Sequence, residues 1–256
     1  MYENHLRVQD VIHRLGMISC ALAVALTSLA STVTPAAREV TFRAADGTAV
    51  YGWYREATAG GPLIVLFHQA FSSHHEYDRI VPSLNALGFA TLAVDQRAGG
   101  PMFGANLTRR AFRNDPSFLS ALPDMEAAVG WAAARHPREI IVWGSSYSAA
   151  LVFLVAARDA RVEAVVAFSP GEYFDDKHLV RRAAAKLRIP IFADSAASAD
   201  EIAQARAILD ASPSARKTQY VPPRGIHGSS TLLADRDPGG AAENRAAVTA
   251  FLRALR

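Results

Sequence analysis

The stretch Glu139–Leu151, EIIVWGSSYSAAL, constrains this chain more than any other part of it. A run rich in β-branched and apolar residues passes through Gly144-Ser145-Ser146-Tyr147-Ser148 straight into an Ala-rich, helix-favouring segment. A strand that becomes a helix so abruptly must turn sharply, and the positions two before and two after the apex must be small because the chain folds back on itself. Centred on Ser146, those positions are Gly144 and Ser148. Ser145 and Ser148 are the local rivals, and an apex at Ser145 would put Trp143 and Tyr147 there instead. The bland alternative is a Ser-rich helix cap. The strand and helix on either side favour the turn, which lifts the Ser146 hydroxyl above a sheet at a helix N-terminus, where positive potential favours a developing oxyanion. Ser146 is the candidate nucleophile.

Strands and helices alternate along the rest of residues 38–256. Arg38–Arg43 and Thr48–Tyr54 flank Asp46-Gly47 and read as a hairpin. Leu63–His68, Phe89–Val94, Glu139–Trp143, Val162–Phe168, Ile189–Ala193 and Lys217–Val221 read as strands, most of them continuous apolar runs buried on both faces. Helical spacing covers Glu76–Leu87, Leu119–Arg135, Ser148–Arg158, Asp200–Ala211 and Ala241–Leu255. The expected architecture is α/β: a mostly parallel central sheet with helices on both faces, opened by an antiparallel N-terminal hairpin. No linker, repeat or low-complexity segment interrupts it, so residues 38–256 read as a single catalytic domain.

Residues 1–37 read as an address. A polar start carrying Arg7, His13 and Arg14 leads into the apolar or small stretch Leu15–Ala30, then small residues and Pro35. This is the pattern of a secretory signal peptide, cleaved after Ala30 or near Ala36 or Ala37. The alternative is an uncleaved membrane-anchoring helix, for which the stretch is short. The expectation is a periplasmic or secreted protein with no stable membrane association after cleavage. Cys20, the only cysteine, lies in this segment. Cleavage would leave a domain without disulfide, Cys nucleophile or Cys-ligated metal.

Composition narrows the partners. Half the residues are apolar and a fifth charged, and Lys+Arg 27 against Asp+Glu 24 gives a net charge of only +3. No Lys/Arg run interleaves with aromatics, so nucleic acid is not an expected partner. His74-His75-Glu76 lacks the spacing that sets two ligands on one helix face with a third group behind, and no metal or other cofactor is expected. Asn106-Leu107-Thr108 fits a glycosylation sequon without other support.

A nucleophilic serine needs a general base, and His227 stands in PPRGIHG after the last strand and before the last helix. The base needs an acid to fix its tautomer. Three stand near the preceding strand: Asp194 at its tip, Asp200 at the start of the next helix, and the adjacent Glu201. An acid beyond the strand tip can reach a histidine across the sheet edge, whereas one still on the strand points into or beneath the sheet. Asp200 is therefore the first choice, although it also suits a helix N-cap or first turn.

The order Ser146, Asp200, His227 resembles that of the α/β-hydrolase superfamily over essentially all of residues 38–256. LIVLFHQAF (Leu63–Phe71) resembles the family's strand and His-Gly turn, and AVDQRAGG (Ala93–Gly100) its Asp-x-Arg-Gly-x-Gly loop, with Gln69 and Ala98 in place of glycines. The resemblance implies an oxyanion hole from the backbone N–H groups of Tyr147 and Ala70, with Phe71 a substitute for Ala70. It also implies structural roles for His68, Asp95 and Arg97. Only about 20 residues separate Phe168 from Ile189, room for one short helix near Asp175–Lys186 and little or no lid. That resembles the compact dienelactone-hydrolase-like or small-esterase branch, although dienelactone hydrolases use a cysteine. Phe71, Tyr147, Phe168, Tyr173 and Phe174 either line an apolar acyl pocket or are ordinary packing. The expected activity is cleavage of small carboxylic esters through an acyl-enzyme. Peptidase or thioesterase action on the same residues, or a non-catalytic binding protein of this fold, are the alternatives.

Overall fold

The computed structural model describes residues 36–57 and 60–255. The segment expected to be a signal peptide and Cys20 lie outside them, except that Ala36 and Ala37, at one of the expected cleavage sites, are described. Among the described residues no helix is long and apolar enough to cross a membrane.

Among the described residues eight strands form one sheet: β1 Arg38–Arg43, β2 Ala49–Arg55, β3 Leu63–Phe67, β4 Ala90–Val94, β5 Ile140–Ser145, β6 Val162–Phe168, β7 Ile191–Asp194 and β8 Lys217–Gln219. Their spatial order is β1-β2-β4-β3-β5-β6-β7-β8. The β1–β2 hairpin is antiparallel, β2 runs antiparallel to β4, and all other pairs are parallel. Alternation along β3 explains the layers. Leu63, Val65 and Phe67 pack on the face covered by α2 (Leu122–Ala133) and α3 (Tyr147–Arg158). Ile64 and Leu66 pack on the opposite face, under α1 (Val81–Ala86) and α6 (Ala241–Arg253). A strand buried on both sides has no polar face to show, which is why LIVLF carries no alternation in its chemistry.

Element boundaries moved where local chemistry intervened. The helix expected over Glu76–Leu87 divides into a 3₁₀ turn, His74–Tyr77, and the short α1. Pro82 occupies the first turn of α1, where its missing N–H costs nothing, and it disfavours continuous helix through the residues before it. The break buries Glu76 and Tyr77. The short helix after β6 is α4, Leu179–Ala184, and Glu172 caps it by accepting the N–H groups of Val180 and Arg181, both at 2.9 Å.

β3 and β5 are neighbours with Phe67 opposite Gly144, while β4 lies on the other side of β3. The connections leaving β3 and β5 therefore diverge, and a crevice opens beyond their C-terminal ends.

Candidate active site

Ser146 stands at the end of β5 with φ 61° and ψ −123°, a region that costs a non-glycine residue about 1–3 kcal/mol. The surroundings hold it there. Its N–H donates to the Phe168 carbonyl at 2.8 Å. A Cβ on Gly144 would stand 2.3 Å from the Ser148 carbonyl oxygen and 2.5 Å from the Ala149 nitrogen, so only glycine fits. Ser148, where glycine is common, uses its hydroxyl: it accepts the Ser145 N–H at 2.9 Å and donates to the Phe67 carbonyl at 2.6 Å. The second small position thus ties the turn to β3.

The Ser146 Oγ lies 2.7 Å from His227 Nε2, and His227 Nδ1 lies 2.8 Å from Glu201 Oε1. The acid at the histidine is Glu201, not Asp200, which corrects the expectation from the sequence. Both residues sit in the first turn of α5 (Ala199–Ala211), but adjacent helical residues point about 100° apart, and Asp200 faces solvent. Ser198 caps α5 by accepting the Glu201 N–H, while Glu201 Oε2 reaches back to the Ala196 N–H at 3.0 Å. This is close to a reciprocal capping box, and Ser198-x-x-Glu201 is its sequence signature. That signal marked Glu201 as the acid turned back over the preceding loop. Asp194 is fully buried at the tip of β7, where one oxygen accepts the Ser195 N–H at 2.7 Å and the other has no hydrogen-bond partner among the described residues. Burial pushes its carboxyl up to about 8. Burial also opposes ionisation of Glu201, but hydrogen bonds from His227, Ser169 and the Ala196 N–H outweigh it and hold that carboxyl down at about 2.

Several bonds fix the histidine loop. Gly228 has φ +73°, and a Cβ there would stand 2.6 Å from the Ser145 Oγ. Its N–H donates to the Ser169 Oγ at 2.9 Å. Ser169, itself at φ 56°, thereby contacts both the histidine loop and Glu201. Sequence reasoning missed it. The loop also hangs from α6, since Asn244 Nδ2 donates to the Arg224 carbonyl at 3.2 Å and the Thr231 hydroxyl at 3.1 Å.

Tyr147 opens α3, so its N–H has no intrahelical acceptor. Ala70 lies in the turn directly after β3, beside the elbow by the pairing of the two strands. Behind that turn, buried His68 donates from Nδ1 to the Gln69 carbonyl and accepts the Gln96 N–H at Nε2, at 2.8 and 3.0 Å. Burial pushes its imidazole down to about 4, which suits this neutral, bracing role. Asp95 accepts the backbone N–H groups of His74 and Leu107. Arg97 joins Asp124 to Asp46. Asn106, the sequon residue, is buried with Nδ2 donating to the Ser72 and Gln96 carbonyls, which leaves no room for a glycan. His74, His75 and Asp78 bring donor atoms within 4.8 Å of one another, which their spacing did not suggest. His74 Nδ1 bonds Asp95 and His75 Nδ1 bonds Asp78, and we assign these residues to loop bracing.

An apolar cavity of 560 Å³, lined by Phe118, Leu119, Tyr173, Phe174 and Leu179 among others, meets the surroundings of the serine through Tyr173 rather than through Ser146 or His227 themselves. Phe118 stacks on Tyr147 with centroids 4.7 Å apart. The Tyr173 hydroxyl donates to the Ser169 carbonyl at 2.7 Å and also neighbours the Ser146 hydroxyl. Of the aromatic residues singled out from the sequence, Tyr173 and Phe174 line this cavity. Phe168 does not, because it belongs to the core and stacks on Trp143. Phe71 does not either: it has φ 58° and is 61% exposed. The left-handed backbone aims its side chain out of the turn, beside exposed Met102, whose N–H bonds the Phe71 carbonyl.

This sheet order, with a strained serine on the elbow after β5, is that of the α/β-hydrolase fold. Residues 61–206 match the family described as serine aminopeptidase, S33, and the chain belongs to that hydrolase family. Among solved structures it is similar to an esterase of Pyrococcus furiosus, with TM-score 0.64 and 18% identity over 85% of this chain and 89% of that one. It is also similar to a dienelactone hydrolase of Anabaena variabilis, with TM-score 0.63 and 16% identity over 80% of this chain and 95% of that one. These likenesses are of fold. Among curated proteins, a thiohydrolase of Arthrinium phaeospermum is 30% identical over 52% of this chain and 42% of its own length. A polyketide transferase of Aspergillus fumigatus is 30% identical over 54% and 46%. The chain thus spans less than half the length of these curated relatives.

Proposed function

We propose that the protein is a serine hydrolase that cleaves small carboxylic esters through an acyl-enzyme, with Ser146, His227 and Glu201 as its triad. The observation that carries this reading is the continuous Ser146–His227–Glu201 hydrogen-bonded array, 2.7 and 2.8 Å, on a strained elbow. Ser146 Oγ attacks the carbonyl carbon as its proton passes to His227 Nε2, and the Glu201 carboxylate stabilises the imidazolium. The Tyr147 and Ala70 N–H groups receive the oxyanion. Collapse breaks the bond to the leaving group, which takes the proton from His227. Water, deprotonated by His227, then releases the acid and restores Ser146.

The 560 Å³ apolar cavity suits a short-to-medium acyl or aryl group. The likeness to a thiohydrolase is reason to assay thioesters beside oxygen esters. The leader segment supports export as part of the same proposal, with a small ester as the only partner and no cofactor required. The test is hydrolysis of p-nitrophenyl esters and acyl thioesters of increasing chain length by the wild type and Ser146→Ala, with fluorophosphonate labelling of both. Turnover and labelling that vanish together in the variant support the triad. No turnover and no labelling of Ser146 would leave a binding protein of this fold as the better account.

A further inference from the structure

Glu76 is a buried acid that the steps above do not use. It is 1% exposed, on the 3₁₀ turn beneath the crevice. Its Oε2 accepts the Gln69 N–H at 2.8 Å, and Gln69 immediately precedes Ala70. Its Oε1 is buried with no hydrogen-bond partner among the described residues, and the hydroxyls of Ser145 and Ser72 lie near the carboxyl. Ser145 Oγ accepts the Ser229 N–H at 2.9 Å, so its own proton is free to turn toward Glu76. One carboxyl thus faces the turn after β3, the elbow after β5 and, through Ser145, the loop that carries His227.

We propose that Glu76 is a positioning residue that clips the Gln69–Ala70 turn to the nucleophile elbow, and that its ionised form is the one that holds the Ala70 N–H in place for the oxyanion. This rests on the triad reading above. A backbone N–H bonds the carboxyl and the Ser145 hydroxyl lies near it with its proton uncommitted, so a carboxylate can accept from both whereas the neutral acid adds a surplus proton. Burial pushes the carboxyl up to about 7 against those hydrogen bonds and the charge of His227. The other titratable groups that feel it are the buried phenols of Tyr77 and Tyr147, both pushed well above their usual range by burial. His74, on the same turn, is committed to Asp95.

Glu76→Gln keeps an acceptor for Gln69 and mimics the protonated acid, whereas Glu76→Ala removes the clip. For Glu76→Gln we expect kcat on an ester to match the wild type at pH 6 and to fall about 3- to 10-fold below it at pH 8, with a shallower acid limb. For Glu76→Ala we expect kcat to fall on the order of 10- to 100-fold with little change in KM, less than the loss of a direct oxyanion donor. The Gln69 amide gives a readout independent of turnover: its proton resonance should titrate near neutral pH in the wild type and stand still in Glu76→Gln. Equal pH profiles for wild type and Glu76→Gln, or a Gln69 amide that does not titrate, would overturn the inference. Absence of all ester and thioester hydrolysis by the wild type would instead overturn the triad reading, and the amide titration would still decide whether the clip exists.

Discussion

Glu201 bonds His227 at 2.8 Å while also binding the Ala196 N–H at 3.0 Å, so one carboxylate both orients the imidazole and secures the start of a helix. Its neighbour Asp200 faces solvent. Replacing Glu201 by Gln should therefore lower kcat by about 10²- to 10⁴-fold, the range expected when a triad acid is lost. Asp200→Asn should change kcat less than about 2-fold, as a surface substitution does. Steady-state ester hydrolysis by the two variants side by side checks this.

Stability should depend on pH through carboxyls of opposite sign, Glu201 on one side and Asp194, with Glu76, on the other. Glu201 falls from 4.5 to about 2 in the folded protein, so its contribution is complete above the unfolded value and is lost as pH falls toward 2. Asp194 rises from 3.8 to about 8. The folded state then holds a proton that the unfolded state releases, and stability declines as pH rises from about 4 to 8. Asp194→Asn removes its own share of that slope. Thermal melts at pH 5 and pH 9 should show a smaller difference for the variant than for the wild type.

The elbow should reject a methyl group at Gly144. The Cβ would meet backbone atoms at 2.3 and 2.5 Å, and neither can move without breaking the start of α3. Gly144→Ala should cost more than about 3 kcal/mol or prevent folding, beyond the usual range for overpacking. Ser148→Ala leaves the Ser145 N–H without its acceptor, and denaturant unfolding should report a loss of about 1–3 kcal/mol.

Chain-length preference should follow the cavity wall. Leu179 lines the cavity, so Leu179→Trp fills part of it and should shift the optimum to shorter acyl groups, leaving acetate-sized esters within about 3-fold of wild type, since binding losses concentrate where the pocket is filled. A p-nitrophenyl ester series measures it directly.

The sheet and the serine were legible because their signals are local. A continuous apolar run can only be a buried element, and the steric demand around Ser146 is written within five residues. Glu201 was harder to see because two adjacent acids differ only in helix phase. The phase became visible through Ser198, whose spacing to Glu201 marks a side chain folded back toward the preceding loop. The exposure of Phe71, left open between cavity lining and packing, was illegible for a related reason: nothing in a one-letter code announces a left-handed backbone at a bulky residue. Glu76 was hidden by a helix that starts five residues later than its apolar spacing suggested, because Pro82 sets where the helix begins.

The suspension of the histidine loop from α6 has a consequence for how the protein can be inactivated. Arg224 and Thr231 bracket His227 in sequence, and both are tethered by Asn244, so the proposed base is moored to the last helix. A protease cut or frameshift that removes only the last helix would leave serine, acid and cavity encoded intact and still cast the imidazole adrift.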